Sequence, residues 1–219
     1  MQAIIENRLA SVNALRADNT AVLAIHWQND IVLPSGAFGS IFAESVRETG
    51  ALANAAKAVS SARRMGIPVF HVLAAYDKAF RGHVANNALF RTVQQRHAFV
   101  RGTLGYEPCT EIRPEGMEPV VEHTRINAFY GTDLATQLRA AGISNLAITG
   151  VATNVAVDHT VREAVQEGFN TYLLDDCCCS SSQAYHDAAM MTMAALSTHV
   201  LTGERFVALL DGTARDASQ

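Results

Sequence analysis

No apolar run in this 219-residue chain reaches the roughly 18 residues that a membrane span requires, so a transmembrane protein is not expected. No cluster of Lys or Arg stands out, and 17 basic against 21 acidic residues leave a net charge of -4. A chain without a basic face has little to offer a phosphate backbone, which argues against a nucleic-acid partner. Cysteine is scarce: of 4 residues, three are consecutive at Cys177, Cys178 and Cys179. That arrangement matches neither a metal-ligand spacing nor a disulfide framework, and reads as small buried thiols at a strand end in a reducing compartment. No repeat, low-complexity tract or Pro/Gly linker marks a second domain. The first twenty residues carry Glu6, Arg8, Arg16 and Asp18 among apolar positions, unlike a signal peptide, so a cytoplasmic location is expected.

What is present is a globular composition, 49% hydrophobic and 17% charged, enough for a substantial core. Met1 to Asn19 spaces Ile4, Ile5, Leu9, Val12 and Leu15 at roughly helical intervals, which predicts an amphipathic helical arm ahead of a domain over residues 20–219. Apolar runs then alternate with helical patterns. The runs are Ala21 to Trp27, Ile67 to Ala74, Pro119 to Glu122, Asn145 to Val151, Thr171 to Leu174 and Thr198 to Leu201. The helical patterns are Glu44 to Met65, Thr132 to Ala141, Thr153 to Glu167 and Ser182 to Leu196, with glycine closing several of them at Gly66, Gly142 and Gly168. Continuous rather than alternating apolar runs mean strands covered on both faces. The expectation is an α/β fold, three layers α/β/α around a parallel sheet. The stretch from Tyr76 to Glu118 breaks this rhythm and is too long for a simple connection, so it reads as functional.

The turn Gly150-Val-Ala-Thr-Asn-Val-Ala156 leads from a strand into a helix, where unpaired N–H groups and the helix dipole favour negative charge. A thiol there would have a lowered pKa, but position 156 is alanine. Ligands of open parallel sheets sit at the carboxyl ends of strands, which singles out three segments. These are Trp27-Gln-Asn-Asp30, His123-Thr-Arg125 and Thr153 to Ala156. Singly, each has an ordinary structural reading: Asp30 as a cap or turn former, His123 as a core residue, Arg125 as an ion-pair partner.

Together, Gln28-Asn-Asp30, the block Arg125-Ile-Asn-Ala-Phe-Tyr-Gly-Thr-Asp-Leu134 and Gly150-Val-Ala-Thr-Asn-Val resemble the isochorismatase-like hydrolase (cysteine hydrolase) superfamily, over about Ala21 to Val207. The resemblance implies a six-stranded, Rossmann-like parallel sheet, homodimers or homotetramers, and an Asp, Lys and Cys catalytic set. On this sequence the aspartate falls on Asp30, the lysine on His123 and the cysteine on Ala156, so two of the three depart from the family pattern. It also implies a cis peptide at Val151-Ala152, with the N–H groups of Ala152 and Ala156 as an oxyanion hole that needs no thiol. Trp27, Phe38, Arg125, Asn127 and Thr153 are the expected substrate contacts. No metal is expected, because Asp77 and His83 lack the spacing of the family's zinc sites, and no other cofactor is implied.

Without a thiol, no thioester forms at position 156. The expectation is a small-molecule hydrolase with Asp30 as general acid or base and water as nucleophile, acting on a vinyl ether or a C–N bond. The alternatives are a non-catalytic homologue that binds a small ligand, and an amidase-type cysteine hydrolase in which alanine has replaced the Cys. With an ordinary pKa of about 6.5, His123 would change charge between about pH 5.5 and 7.5.

Overall fold

The computed structural model describes residues 15–211. Six strands, β1 (Thr20–Ile25), β2 (Val69–Ala74), β3 (Val120–His123), β4 (Asn145–Val151), β5 (Asn170–Cys179) and β6 (His199–Leu201), form one parallel sheet in the order β3-β2-β1-β4-β5-β6. The order reverses between β1 and β4, opening the crevice where such sheets bind ligands. Every residue of β1, β2 and β4 is buried, as strands covered on both faces should be.

Alternation along β1 divides the core in two. Val22 and Ala24 face one layer, where α3 (Ala51–Arg64) contributes Ala55, Ala58, Val59 and Ala62 and α8 (Gly203–Leu210) contributes Phe206 and Leu209. Ala21, Leu23 and Ile25 face the other, where α5 (Leu134–Ala140), α6 (Asp158–Gln166) and α7 (Gln183–Met193) supply Leu134, Leu138, Val161 and Met193. The remaining helices are α1 (Asn29–Val32), α2 (Gly39–Thr49) and α4 (Ala88–Gln95).

Several boundaries differ from the sequence expectation. The single helix expected over Glu44 to Met65 is two, α2 and α3, because Gly50 adopts a left-handed φ of 68° that ends the first. Thr153 to Glu167 is not one regular helix either: Thr153–Val157 is a π-helical turn, and α6 begins only at Asp158. β5 runs on to Cys179, so the three cysteines are strand residues rather than residues following a strand. Helices α1, α4 and α8, of 4, 8 and 8 residues, are absent from the sequence expectation; at about one to two turns each, they are too short to show a sustained helical repeat. Of the arm expected over Met1 to Asn19, residues 1–14 lie outside the described residues; Ala17–Asn19 is a single 3-10 turn and Leu15 joins the core.

The long excursion after β2 is tied to the sheet by three consecutive side chains. Gln28, fully buried, accepts from Ala74 N–H at 2.9 Å and donates to the carbonyls of Ala74 at 3.0 Å and Tyr106 at 2.8 Å. Asn29 donates to Leu104 O at 2.9 Å. Asp30 accepts from Ala37 N–H at 2.9 Å through Oδ1 and from Phe99 N–H at 2.6 Å through Oδ2. Gly105 lies so close beneath that carboxylate that a Cβ would sit 2.3 Å from Oδ1.

A second close approach shapes the sheet. Gly150 pairs with Ile25, beside a register shift between β4 and β5, and a Cβ there would fall 2.5 Å from Ile25 O and 2.7 Å from Ile25 Cβ. Gly150→Ala should therefore force two central strands apart and cost about 1–3 kcal/mol, the usual range for overpacking. The check is a lower urea midpoint at unchanged slope; an unchanged midpoint would mean that the strands can give way freely.

Candidate functional site

β1 ends at Ile25, and the next residue, His26, takes a left-handed φ of 54°, uncommon for a residue with a side chain. Such outliers persist where surrounding structure enforces them and gather at functional sites. His26 lines a cavity, partly open to solvent, at the carboxyl ends of β1 to β4. Behind it, at the end of β3, stands His123. The two Nε2 atoms are 2.6 Å apart and the rings are stacked, with centroids at 4.8 Å.

Both imidazoles are deeply buried. Burial pushes His26 well below the ordinary histidine pKa, and the neighbouring His123 adds to the effect. Burial likewise pushes His123 down to about 4, with the Asn127 backbone working weakly in the opposite direction. Both rings are thus neutral at pH 7, and the expected charge change between about pH 5.5 and 7.5 is displaced to lower pH. Two neutral rings at this distance share one hydrogen bond, one Nε2–H donating and the other Nε2 accepting. Either ring can be the donor, because His123 Nδ1 is buried without a hydrogen-bond partner among the described residues; where His26 is the Nε2 donor, its Nδ1 lone pair is unspent.

The turn after β4 forms another part of the wall through Val151, Ala152, Val155 and Ala156, and the Val151-Ala152 peptide is cis. Val155 and Val157 N–H both donate to Ala152 O, at 3.1 and 3.2 Å, passing over the Ala156 N–H between them. A π turn of this kind widens the first helical turn and often marks a site of function. The remaining wall is apolar and aromatic. Phe38 stacks on Phe99 at 5.5 Å, Phe90 and Val93 come from α4, and Tyr76 follows β2. The exception is Arg125, whose guanidinium lies over the Phe90 ring at 4.0 Å and donates to Val84 O at 3.1 Å. Among the described residues it has no carboxylate partner, so the ion pair considered for it is not formed.

The residues singled out in the sequence therefore separate. Ala156, Val151, Ala152, Phe38 and Arg125 line the cavity, and His123 touches it through His26. Asp30 does not line it: its carboxylate accepts from the Ala37 and Phe99 amides. Trp27 points into the core and donates from Nε1 to Thr149 Oγ1 at 3.3 Å. Asn127 caps its own loop, accepting from Phe129 and Tyr130 N–H at 2.9 and 2.7 Å. Thr153 is fully buried and bonds away from the cavity to His186. His26 was missed because the apolar run Ala21 to Trp27 places it inside the strand, whereas β1 ends at Ile25; the signal available was a polar residue near a strand's carboxyl end.

The cysteines supply no replacement nucleophile. All three are buried in β5, and burial pushes each thiol up, Cys179 to about 12. Asp77 and His83 do not share a ligand sphere: Asp77 binds the Arg81 side chain and the Ala79 N–H, and His83 lies against Phe90 O. Among the described residues no group of three or more His, Cys, Asp or Glu is placed to hold a metal ion, and no helix is long and apolar enough to cross a membrane.

With this geometry in hand, comparison with known proteins is informative. The isochorismatase domain model matches residues 20–205. The ureidoacrylate amidohydrolase RutB of Rhizobium rhizogenes is 29% identical over 175 residues, covering 74% of this chain and 71% of that protein. The uncharacterized isochorismatase family protein YddQ of Bacillus subtilis is 32% identical over 157 residues, 72% and 76% of the two chains. In fold, a cysteine hydrolase from Pseudomonas syringae pv. phaseolicola superposes with a TM-score of 0.83 at 19% identity, over 94% of this chain and 98% of the other. The chain belongs to the isochorismatase family, on the isochorismatase-like α/β fold.

Proposed function

We propose that this protein is a small-molecule hydrolase that uses water rather than a thiol, with the His26–His123 pair in place of an acidic side chain as its acid–base element. The observation that carries the reading is the Nε2–Nε2 contact of 2.6 Å between two buried, neutral imidazoles at the cavity wall. With His123 Nε2 as acceptor, His26 holds its proton on Nε2, and His123 orients the ring as the third member of a nucleophile–base–orienter set does. The His26 Nδ1 lone pair then takes a proton from water as the water oxygen attacks a substrate carbonyl. The carbonyl oxygen gains charge opposite the Ala152 and Ala156 N–H groups, and the proton held on His26 passes to the leaving nitrogen.

An amide-type C–N bond fits this arrangement better than a vinyl ether. Protonating an enol carbon calls for a carboxylic acid aimed at the ligand, and the carboxylate of Asp30 is held by two backbone amides outside the cavity. Arg125, a cation without a carboxylate partner in an otherwise apolar wall, favours a substrate with a flat body and an anionic end. The relatives named ureidoacrylate amidohydrolases carry in that name both an amide-type bond and an anion. A second reading, a non-catalytic binder of the same class of ligand, is favoured by the absence, among the described residues, of any ion-pair partner for the His pair.

Small carboxylate-bearing amides, ureides and carbamates tested as substrates should be turned over by the wild type. His26→Asn, which tolerates the left-handed backbone, should lose about 10²–10⁴ in kcat/KM. Asp30→Asn should keep kcat/KM within a few-fold while lowering the unfolding midpoint. Binding without turnover would establish the second reading, and full activity of His26→Asn would remove the pair from the mechanism.

The same histidines govern acid stability. In the unfolded chain they take up protons near pH 6.5, whereas in the fold His123 does so only near 4 and His26 also well below 6.5. Stability present above about pH 6.5 is therefore lost as pH falls from there through about 4, by on the order of a few kcal/mol. Urea unfolding at pH 7, 5.5 and 4.5 should show a shallower loss in the His26→Asn/His123→Asn double variant; parallel losses would contradict it.

A further inference from the structure

The turn that walls the cavity has a second face. While Ala152, Val155 and Ala156 look into the cavity, Thr153 and Asn154 are held from β5 and α7. Thr153 Oγ1 lies 2.9 Å from His186 Nδ1, and His186 Nε2 lies 2.9 Å from Asp175 Oδ1. Next to this chain, Ser180 Oγ donates to Asn154 Oδ1 at 2.5 Å. Thr153 is fully buried and His186 is 8% exposed, whereas the Asp175 side chain is half exposed, at 49%.

The donor and acceptor roles follow from the partners. A carboxylate only accepts, so His186 Nε2 carries the proton and donates to Asp175; in the neutral ring Nδ1 is then the acceptor, and the Thr153 hydroxyl donates to it. This is the hydrogen-bond order of a hydroxyl–imidazole–carboxylate triad, but its hydroxyl is sealed from both solvent and the cavity. With no reacting atom in reach, the chain has a mechanical use. It fixes the χ1 of Thr153 and, through the two peptides beside it, the direction of the Ala152 N–H and the start of the π turn that carries the Ala156 N–H.

We propose that His186 is a positioning residue: the Asp175–His186–Thr153 chain sets the orientation of the Ala152 and Ala156 amides in the cavity wall. That these amides act on a substrate oxygen rests on the function proposed above; their being held by this chain does not. Removal of one buried hydrogen bond without changing shape, as in Thr153→Val, leaves His186 Nδ1 without its donor and releases the turn. Asp175→Asn perturbs the chain from its exposed end, where a change is easily accommodated by the fold.

The test is amide NMR on the intact protein, with no substrate needed. In Thr153→Val the Ala152 and Ala156 resonances should shift and their hydrogen exchange quicken roughly tenfold or more relative to global unfolding. Thr153→Ser, which restores the hydroxyl, should return both toward the wild type, and Asp175→Asn should move the same two amides by less. On any substrate found, Thr153→Val should lower kcat with little change in KM, since the donors matter most in the transition state. If the Ala152 and Ala156 amides stay unmoved in both Thr153→Val and Asp175→Asn, the proposal is overturned. Should Thr153→Val fail to fold, Asp175→Asn decides alone. A protein without turnover that still shows the amide effects would refute the hydrolase reading and leave this one standing.

Discussion

The clamp formed by Gln28, Asn29 and Asp30 is the constraint on which the rest of the site depends. Three consecutive side chains at the end of β1 satisfy backbone groups of Ala74, Leu104, Tyr106, Ala37 and Phe99. Each neutral bond contributes about 1 kcal/mol and each bond to the carboxylate about 1.5–3, so the triplet adds a polar anchor to the apolar burial of the long excursion after β2. What that excursion brings is Phe90, Val93 and Phe99, three of the walls of the cavity. The enclosure they provide is what desolvates His26 and His123, and desolvation is the leading cause of both lowered pKa values. A structural clamp at one point of the chain thus sets the proton affinity of a pair of side chains elsewhere.

This chain of dependence explains what was legible beforehand and what was not. Strand positions were legible because burial on both faces leaves continuous apolar runs, as in Asn145 to Val151 and in Ala21 to Trp27, of which β1 takes the part up to Ile25. The Gly150 turn was legible too, since a glycine between a buried strand and a helix marks a close approach, here to Ile25. Asp30 was legible as a residue of consequence but not in its consequence. A carboxylate after a strand looks the same in sequence whether it faces a ligand or two amides of a loop, and which it faces is decided by residues 7 and 69 positions away.

His26 illustrates the opposite failure. Nothing in its immediate sequence distinguishes it, and its significance arises only when β1 and β3, separated by β2 in the sheet, bring it to His123 across 97 residues. The φ of 54° that turns it out of line with β1 is likewise a product of the fold, not of a local propensity. The same holds for Thr153, where the sequence suggested contact with a ligand. Its hydroxyl is instead claimed by His186, on the far side of the turn.

The three unusual positions, His26, His123 and Ala156, are physically consistent with one another. A thiolate in the first turn after β4 would put a full negative charge in an apolar cavity and would need a buried cation to offset its desolvation. Alanine removes the anion, and with it the need for a permanent cation at position 123. A lysine there would then be a buried charge without a partner, whereas a histidine can shed its proton and hydrogen-bond as a neutral ring. The contact with a second neutral ring at position 26 satisfies one nitrogen of each without adding charge. The outcome is a site whose polarity near the turn rests on imidazole nitrogens and backbone amides, with the fixed charge of Arg125 kept to the loop after β3. Such an arrangement can orient and polarise a ligand at low electrostatic cost to the fold, which is what the proposed attack by water requires.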